Sequence, residues 1–140
     1  MQPTIKQVVI LGSGVMGSRI ACHFAGIGVQ VLLLDRLQPG AEESKQSKER
    51  NKLVNDALQA SIKSNPSPIY SSAFTKNIRT GNFTDDMPQI ANADWIIEVV
   101  VERLDIKKTI ERISKRTVYW ATFEPILGGS PVLEKITPRV

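Results

Sequence analysis

Three glycines stand at the spacing G-x-G-x-x-G in Gly12-Ser13-Gly14-Val15-Met16-Gly17. That spacing suits an anion. A first glycine permits a tight turn, a second lets the main chain approach a pyrophosphate, and a third lets the following helix pack closely on its strands. The helix that begins there presents free N–H groups and the positive end of its dipole to the phosphates. A carboxylate, Asp35, follows 18 residues after Gly17. At the tip of a second strand it accepts both ribose hydroxyls of an adenosine and repels a 2′-phosphate. Arg36, next to it, would greet such a phosphate, but Asp35 holds the strand-end position, so the pattern favours NAD over NADP. The candidate cofactor-binding residues are therefore Gly12, Ser13, Gly14, Val15, Met16, Gly17 and Asp35.

The motif has meaning only if strands and helices position it. Residues 5–11 form a short, nearly continuous apolar run that stops at Gly12, as expected of a strand buried on both faces. Met16, Ile20, Phe24 and Ile27 then recur at helical spacing, and Gly26 and Gly28 close that helix. Residues 29–34 are a second apolar run that ends in Asp35. Strand, helix and strand within about 30 residues make one right-handed βαβ unit. Beyond the turn signal Pro39-Gly40, residues 42–63 predict a helix with Leu53, Ala57 and Leu58 as its apolar stripe, broken at Asn65-Pro66-Ser67-Pro68. Residues 78–83 predict a short strand, 85–93 a loop or short helix, and 95–101 a third buried strand. Ile106, Ile110 and Ile113 then mark a helix, supported by the pairs Lys107–Glu111 and Glu111–Lys115. Residues 117–123 are rich in β-formers and predict a last strand. The final 16 residues, with Pro125, Gly128-Gly129, Pro131 and Pro138, read as irregular. The alternation predicts an α/β fold: a Rossmann-type doubly wound parallel sheet with a helical insertion at about 41–68, incomplete at the C-terminus.

Few other residues carry chemistry. Glu98 and Glu102 share a strand face, and Glu102 lies nearer the C-terminal end where ligands bind. Site residue and dipole-favoured helix start remain open readings of Glu102. His23, the single histidine, lies nearly two helical turns from the glycine loop and reads as a surface or packing residue. The single cysteine, Cys22, reads as a small buried apolar group and excludes an internal disulfide or a multi-cysteine zinc site. No catalytic residue and no metal ligand set is identified. The 140 residues, 41% hydrophobic, suffice for one core and exclude a disordered tail. The net charge of +4, with both signs interspersed and the basic excess in residues 41–80, fits a solvated helical face rather than a nucleic-acid surface. No apolar run reaches the roughly 18–20 residues needed to cross a bilayer, and the N-terminus lacks the shape of a signal peptide. A reduced, cytoplasmic protein without nucleic-acid or membrane partners is the expectation.

The string VVILGSGVMGSRIACHFAGIGVQVLLLD, together with ADWIIEVVVERLDIKK at residues 93–108, resembles the NAD-binding domain of 3-hydroxyacyl-CoA dehydrogenases. The insertion ERNKLVNDALQASIKSNPSPIY, followed by IRTGNFTDD, is similar to the bacterial fatty-acid β-oxidation members. The resemblance covers about residues 5–116. It implies that Gly12, Gly14, Gly17 and Asp35 hold NAD, that Glu102 and Lys107 also lie at the cofactor, and that the helical insertion helps contact an acyl-CoA. It then stops. Where the family has Ser-Asn-Thr-Ser, this chain has Tyr119-Trp120-Ala121-Thr122-Phe123. The family's catalytic His–Glu pair and helical C-terminal domain lie further on, and His23 does not match that histidine. Residues 1–116 are thus expected to be the NAD-binding domain and 117–140 a divergent tail, either a frameshift product or a diverged strand with an irregular segment.

The implied function is oxidation of 3-hydroxyacyl-CoA to 3-oxoacyl-CoA, with little or no activity from this chain alone. The alternative is a non-catalytic nucleotide-binding module or gene remnant. A 6-phosphogluconate-type dehydrogenase fits less well, given the Asn-Pro-Ser-Pro insertion and the Glu98/Glu102 spacing. A homodimer is expected only if the family's C-terminal domain is supplied. Without it, uncovered apolar surface should promote non-native association.

Overall fold

The computed structural model describes residues 4–99, residues 108 and 112, and the backbone of 118–122 and 132–136. Its strands are β1 (Gln7–Leu11), β2 (Gln30–Asp35), β3 (Ile78–Asn82), β4 (Trp95–Glu98), β5 (Val118–Thr122) and β6 (Val132–Ile136). They lie in one sheet in the order β3-β2-β1-β4-β5-β6, and β6 alone is antiparallel to its neighbour. The helices are α1 (Val15–Gly26), α2 (Ser47–Arg50) and α3 (Lys52–Ile62). The strand order runs one way from β1 through β2 to β3 and the other way from β1 to β4. The crevice between the C-terminal ends of β1 and β4 is therefore a topological switch point, where open α/β sheets bind ligands.

The continuous apolar runs are explained by a core on each face of the sheet. Val8, Val9, Ile10 and Leu11 are all fully buried because β1 is central. Val8 and Ile10 pack with Ala21, Cys22 and Ala25 of α1 and with Val54 and Leu58 of α3. Val9 and Leu11 face the other way and pack with Leu32, Leu34, Ile90, Ala93 and Ile96. The two helices cover one face, and the 3₁₀ segment Met87–Asn92 contributes to the other.

Four expectations are corrected. The buried face of α1 is Gly17, Ser18, Ala21, Cys22 and Ala25, whereas Met16 and Ile27 are largely exposed and Ile20 and Phe24 half-buried. The helix runs so close to the sheet that only small side chains fit beneath it. The buried stripe of α3 is Val54, Leu58 and Ser61, with Leu53 and Ala57 flanking it. The insertion becomes helical at Ser47, not at 42, because the Arg50 guanidinium draws the carbonyls of Ala41, Glu42 and Ser44 around itself, at 3.2, 2.9 and 3.1 Å. Carbonyls turned toward a side chain are lost to a helical ladder. Finally, the stretch expected to be irregular contains β6, so β5 is not the last strand. The Ile106–Ile113 face and its ion pairs lie outside the described residues. No helix among those described is long and apolar enough to cross a membrane.

Candidate functional site

Register places the functional ends together. Leu11 pairs with Leu34 on one side and with Glu98 on the other, and Asp35 pairs with Asn82. The chain leaves β1 at Gly12, whose N–H donates to the Leu34 carbonyl at 2.7 Å and whose φ is +115°, a conformation that glycine alone adopts without strain. Gly17 faces this turn from the first turn of α1. A Cβ on it would lie 1.8 Å from the Gly12 carbonyl oxygen and 2.9 Å from Val99 Cγ2. Helix and turn thus touch backbone to backbone.

Gly14 is the N-cap of α1, and no side chain caps this helix; its first turn also holds no acid. The leading N–H groups of a helix have no intrahelical acceptor. A Cβ built on Gly14 meets nothing within 4 Å among the described residues, so these do not require glycine there. Val15 and Met16, apolar yet 75% and 48% exposed, flank this end of the helix. A helix start that is uncapped, unfilled and bordered by open apolar side chains suits a ligand with anionic and apolar parts.

Asp35 is half-buried at the tip of β2. Its Oδ2 accepts from the Ser13 N–H at 2.7 Å and from Ser13 Oγ at 2.5 Å, and its Oδ1 accepts from the Arg36 N–H at 2.7 Å. The carboxylate is therefore aimed by the glycine loop, across 22 residues of chain. The Arg36 side chain is exposed. Glu98, half-buried, closes β4 beside Leu11. Glu102 and Lys107 lie outside the described residues. His23 is exposed on α1, and Cys22 is fully buried there, its thiol pushed up by that burial.

Sequence reasoning missed two features of the surroundings. A groove of about 430 Å³ opens between the glycine loop and α3, lined by Ser13, Gly14, Val15, Arg19, Ala57, Ala60, Ser61 and Ser64. In it the Arg19 guanidinium donates to Ser64 Oγ at 3.2 Å. On the Asp35 side, Asn82 is fully buried and links three segments. Its amide donates to Asn51 Oδ1 and Asp85 Oδ2, and its Oδ1 accepts from the N–H groups of Thr84 and Asp85. Arg50 completes the unit with two bonds to Asp85, at 2.7 and 2.9 Å. The only signal for it in the sequence is an arginine and an aspartate 35 residues apart, which no local pattern connects.

The Arg50 guanidinium, and after it the Asn82 amide, holds the Asp85 carboxyl down to about 2 from its ordinary 3.8. A depressed folded-state pKa adds stability that is complete above the ordinary carboxylate value and is lost as pH falls toward the folded one. Asp85→Asn should therefore lower the urea midpoint at neutral pH, with the gap to the parent closing between about pH 4 and pH 2. Chemical denaturation at a series of pH values checks this. A gap that is constant with pH would show that the ion pair contributes nothing.

Comparison with known proteins adds a further line. Residues 7–119 match the family described as 3-hydroxyacyl-CoA dehydrogenase, NAD binding domain. A probable 3-hydroxyacyl-CoA dehydrogenase of Bacillus subtilis is 44% identical over an alignment of 118 residues that covers 79% of this chain and 15% of that protein. A putative fatty acid oxidation complex trifunctional enzyme of Rickettsia felis is 39% identical over 107 residues, 76% of this chain and 14% of that protein. The chain thus spans a small part of the length of either relative. Among solved structures, the dehydrogenase part of multifunctional enzyme 1 from C. elegans aligns with a TM-score of 0.58 over 89% of this chain and 27% of that one; at 23% identity this is a likeness of fold.

Proposed function

The chain belongs to the 3-hydroxyacyl-CoA dehydrogenase family, as its NAD-binding domain, and from that premise we propose that Gly12–Gly17 and Asp35 are the residues that seat NAD. The observation that carries the assignment is the joint geometry of the loop and Asp35. An uncapped helix start with open space over Gly14 lies next to a carboxylate pinned by Ser13. The donor set fits the cofactor. Main-chain N–H groups of the first turn of α1 would hold the pyrophosphate, and Asp35 would accept from the adenosine ribose. Met16 and Val15 supply apolar contact. Glu102 and Lys107 are assigned to the same site by resemblance.

When bound, NAD supplies the hydride acceptor for oxidation of an alcohol. We assign to the longer proteins of the family the oxidation of 3-hydroxyacyl-CoA, in fatty-acid β-oxidation, and to this chain the cofactor-holding share of it in the cytoplasm. Alcohol oxidation also needs a proton acceptor within hydrogen-bond reach of the hydroxyl. His23, exposed on α1, does not point to that role. The groove beside α3, with the Arg19 cation and the hydroxyls of Ser61 and Ser64, is where we place contact with the acyl-CoA.

Calorimetric titration with NAD⁺ and NADP⁺ tests the assignment. A 2′-phosphate brought against the Asp35 carboxylate should weaken binding by about tenfold or more. Equal or tighter binding of NADP⁺ would remove Asp35 from the ribose site and promote Arg36. Binding of neither would sink the whole reading.

A further inference from the structure

Ser13 occupies a variable position of the glycine motif, yet it is only 2% exposed, and its hydroxyl has one acceptor, Asp35 Oδ2, at 2.5 Å. The Ser13 N–H donates to the same oxygen at 2.7 Å, and the Arg36 N–H to Oδ1 at 2.7 Å. A carboxylate has about four acceptor positions. Among the described residues three are filled by protein donors, which leaves one on Oδ1. Behind Ser13 stands a second buried hydroxyl. Ser18, fully buried on α1, donates through Oγ to the Ser13 carbonyl at 2.6 Å, while its N–H donates to the Gly14 carbonyl at 2.9 Å. A chain of bonds therefore runs from the first turn of α1 through Ser13 to the tip of β2. It sets both where the carboxylate sits and which of its oxygens is open.

We propose that Ser13 is the positioning residue that gives this site its cofactor specificity. By saturating Oδ2 it holds Asp35 so that the one open position, on Oδ1, accepts one ribose hydroxyl, not the two that the sequence pattern leads one to expect, and refuses a 2′-phosphate. This rests on the assignment of Asp35 to the adenosine ribose. A hydroxyl has a proton to give to the open position. A phosphate ester has none to give when ionised, and it brings a second negative charge against a carboxylate that cannot turn away. Without the Ser13 hydroxyl the carboxylate keeps its two main-chain donors but loses a charge-assisted bond, is held less tightly, and has a second acceptor position open on Oδ2. Binding of NAD then loses preorganisation, and exclusion of NADP loses its fixed charge.

The test is a double-mutant cycle read by calorimetry on the full chain. In Ser13→Ala the NAD⁺ dissociation constant should rise about tenfold while that for NADP⁺ stays level or falls, so that the preference collapses. In an Asp35→Asn background the same substitution should change neither constant, because Ser13 acts only through the carboxylate. A purely structural serine would weaken both cofactors alike and would do so in either background, and that result overturns the proposal. Should Ser13→Ala fail to melt cooperatively, Ser18→Ala carries the comparison. It frees the Ser13 main chain and should narrow the preference by about threefold, and an unchanged preference overturns the proposal there too. A parent chain that binds no NAD⁺ fails the function assignment itself, whereas a parent that discriminates and a Ser13→Ala variant that discriminates equally fail this inference alone.

Discussion

Gly17→Ala should destabilise the chain by about 3 kcal/mol or more, at the upper end of what overpacking costs, and lower its melting temperature by roughly 10 °C. The added methyl would sit 1.8 Å from the Gly12 carbonyl oxygen and 2.9 Å from its carbon. Both are main-chain atoms of a turn that is already fixed, by the Gly12 N–H on the Leu34 carbonyl and by the +115° φ that only glycine holds comfortably. No rotamer change relieves the clash, so α1 must lift away from β1. When it lifts, Ser18, Ala21, Cys22 and Ala25 lose their packing on the sheet, and the N–H groups that we assign to the cofactor move with them. Cofactor binding and stability should fall together. Gly26→Ala is the control. At the other end of the same helix a Cβ meets nothing within 4 Å, and the substitution should be neutral or stabilising by up to about 1 kcal/mol. Thermal melts of the two variants beside the parent decide the matter. A Gly17→Ala variant that melts with the parent would mean that helix and turn are not in contact.

The same contact explains what could and could not be read from the sequence. β1 and β2 were legible because each is a continuous apolar run, and a sheet covered on both faces demands that pattern. Residues 8–11 and 31–34 therefore announced β1 and β2, and Asp35 announced where β2 stops. The buried face of α1 is not legible from periodicity, which ranks residues by size and picks out Met16 and Ile27 along with Ile20 and Phe24. The glycine at 17 reverses that ranking. Once the helix touches the turn, the face toward the sheet must be small, and the larger apolar side chains are pushed to the flanks or into the open.

The site was legible in its backbone and not in its side-chain network. The glycine spacing and the distance to Asp35 are local quantities, and both point to a strand–turn–helix with a carboxylate at the next strand's tip. The bond from Ser13 to Asp35 spans 22 residues, and the Arg50–Asp85 pair spans 35. Their donors and acceptors meet only because parallel strands bring distant residues into register, Leu11 beside Leu34 and Asp35 beside Asn82. Periodicity along one segment has no information about such meetings. The same holds for β6, whose residues 132–136 lie among prolines and glycines that read as punctuation and whose strand character depends on an antiparallel neighbour, β5.

Gly14→Val should weaken NAD binding by roughly a hundredfold and leave the fold standing. The two glycines differ in what surrounds them. Around Gly17 the protein itself fills the space, whereas around Gly14 it leaves the space open: a Cβ there has no neighbour within 4 Å, and φ is −57° with ψ at −177°, backbone that any residue adopts. The only protein-side cost is the poorer N-cap, about 0.5–1 kcal/mol, so the melting temperature should drop by no more than a few degrees. If the pyrophosphate lies against this main chain, the valine branches stand where it must come, and a clash of about 3 kcal/mol weakens binding by roughly a hundredfold. Gly14→Ala, with one carbon in place of three, should fall between the parent and the valine variant. Calorimetry with NAD⁺ gives the affinities and a thermal melt gives the stability. Wild-type affinity in Gly14→Val would mean that no phosphate passes over this residue, and the loop would then serve the fold alone. Lost affinity at an unchanged melting temperature would separate the two roles: Gly17 holds helix and turn together, and Gly14 holds open the space that the cofactor takes.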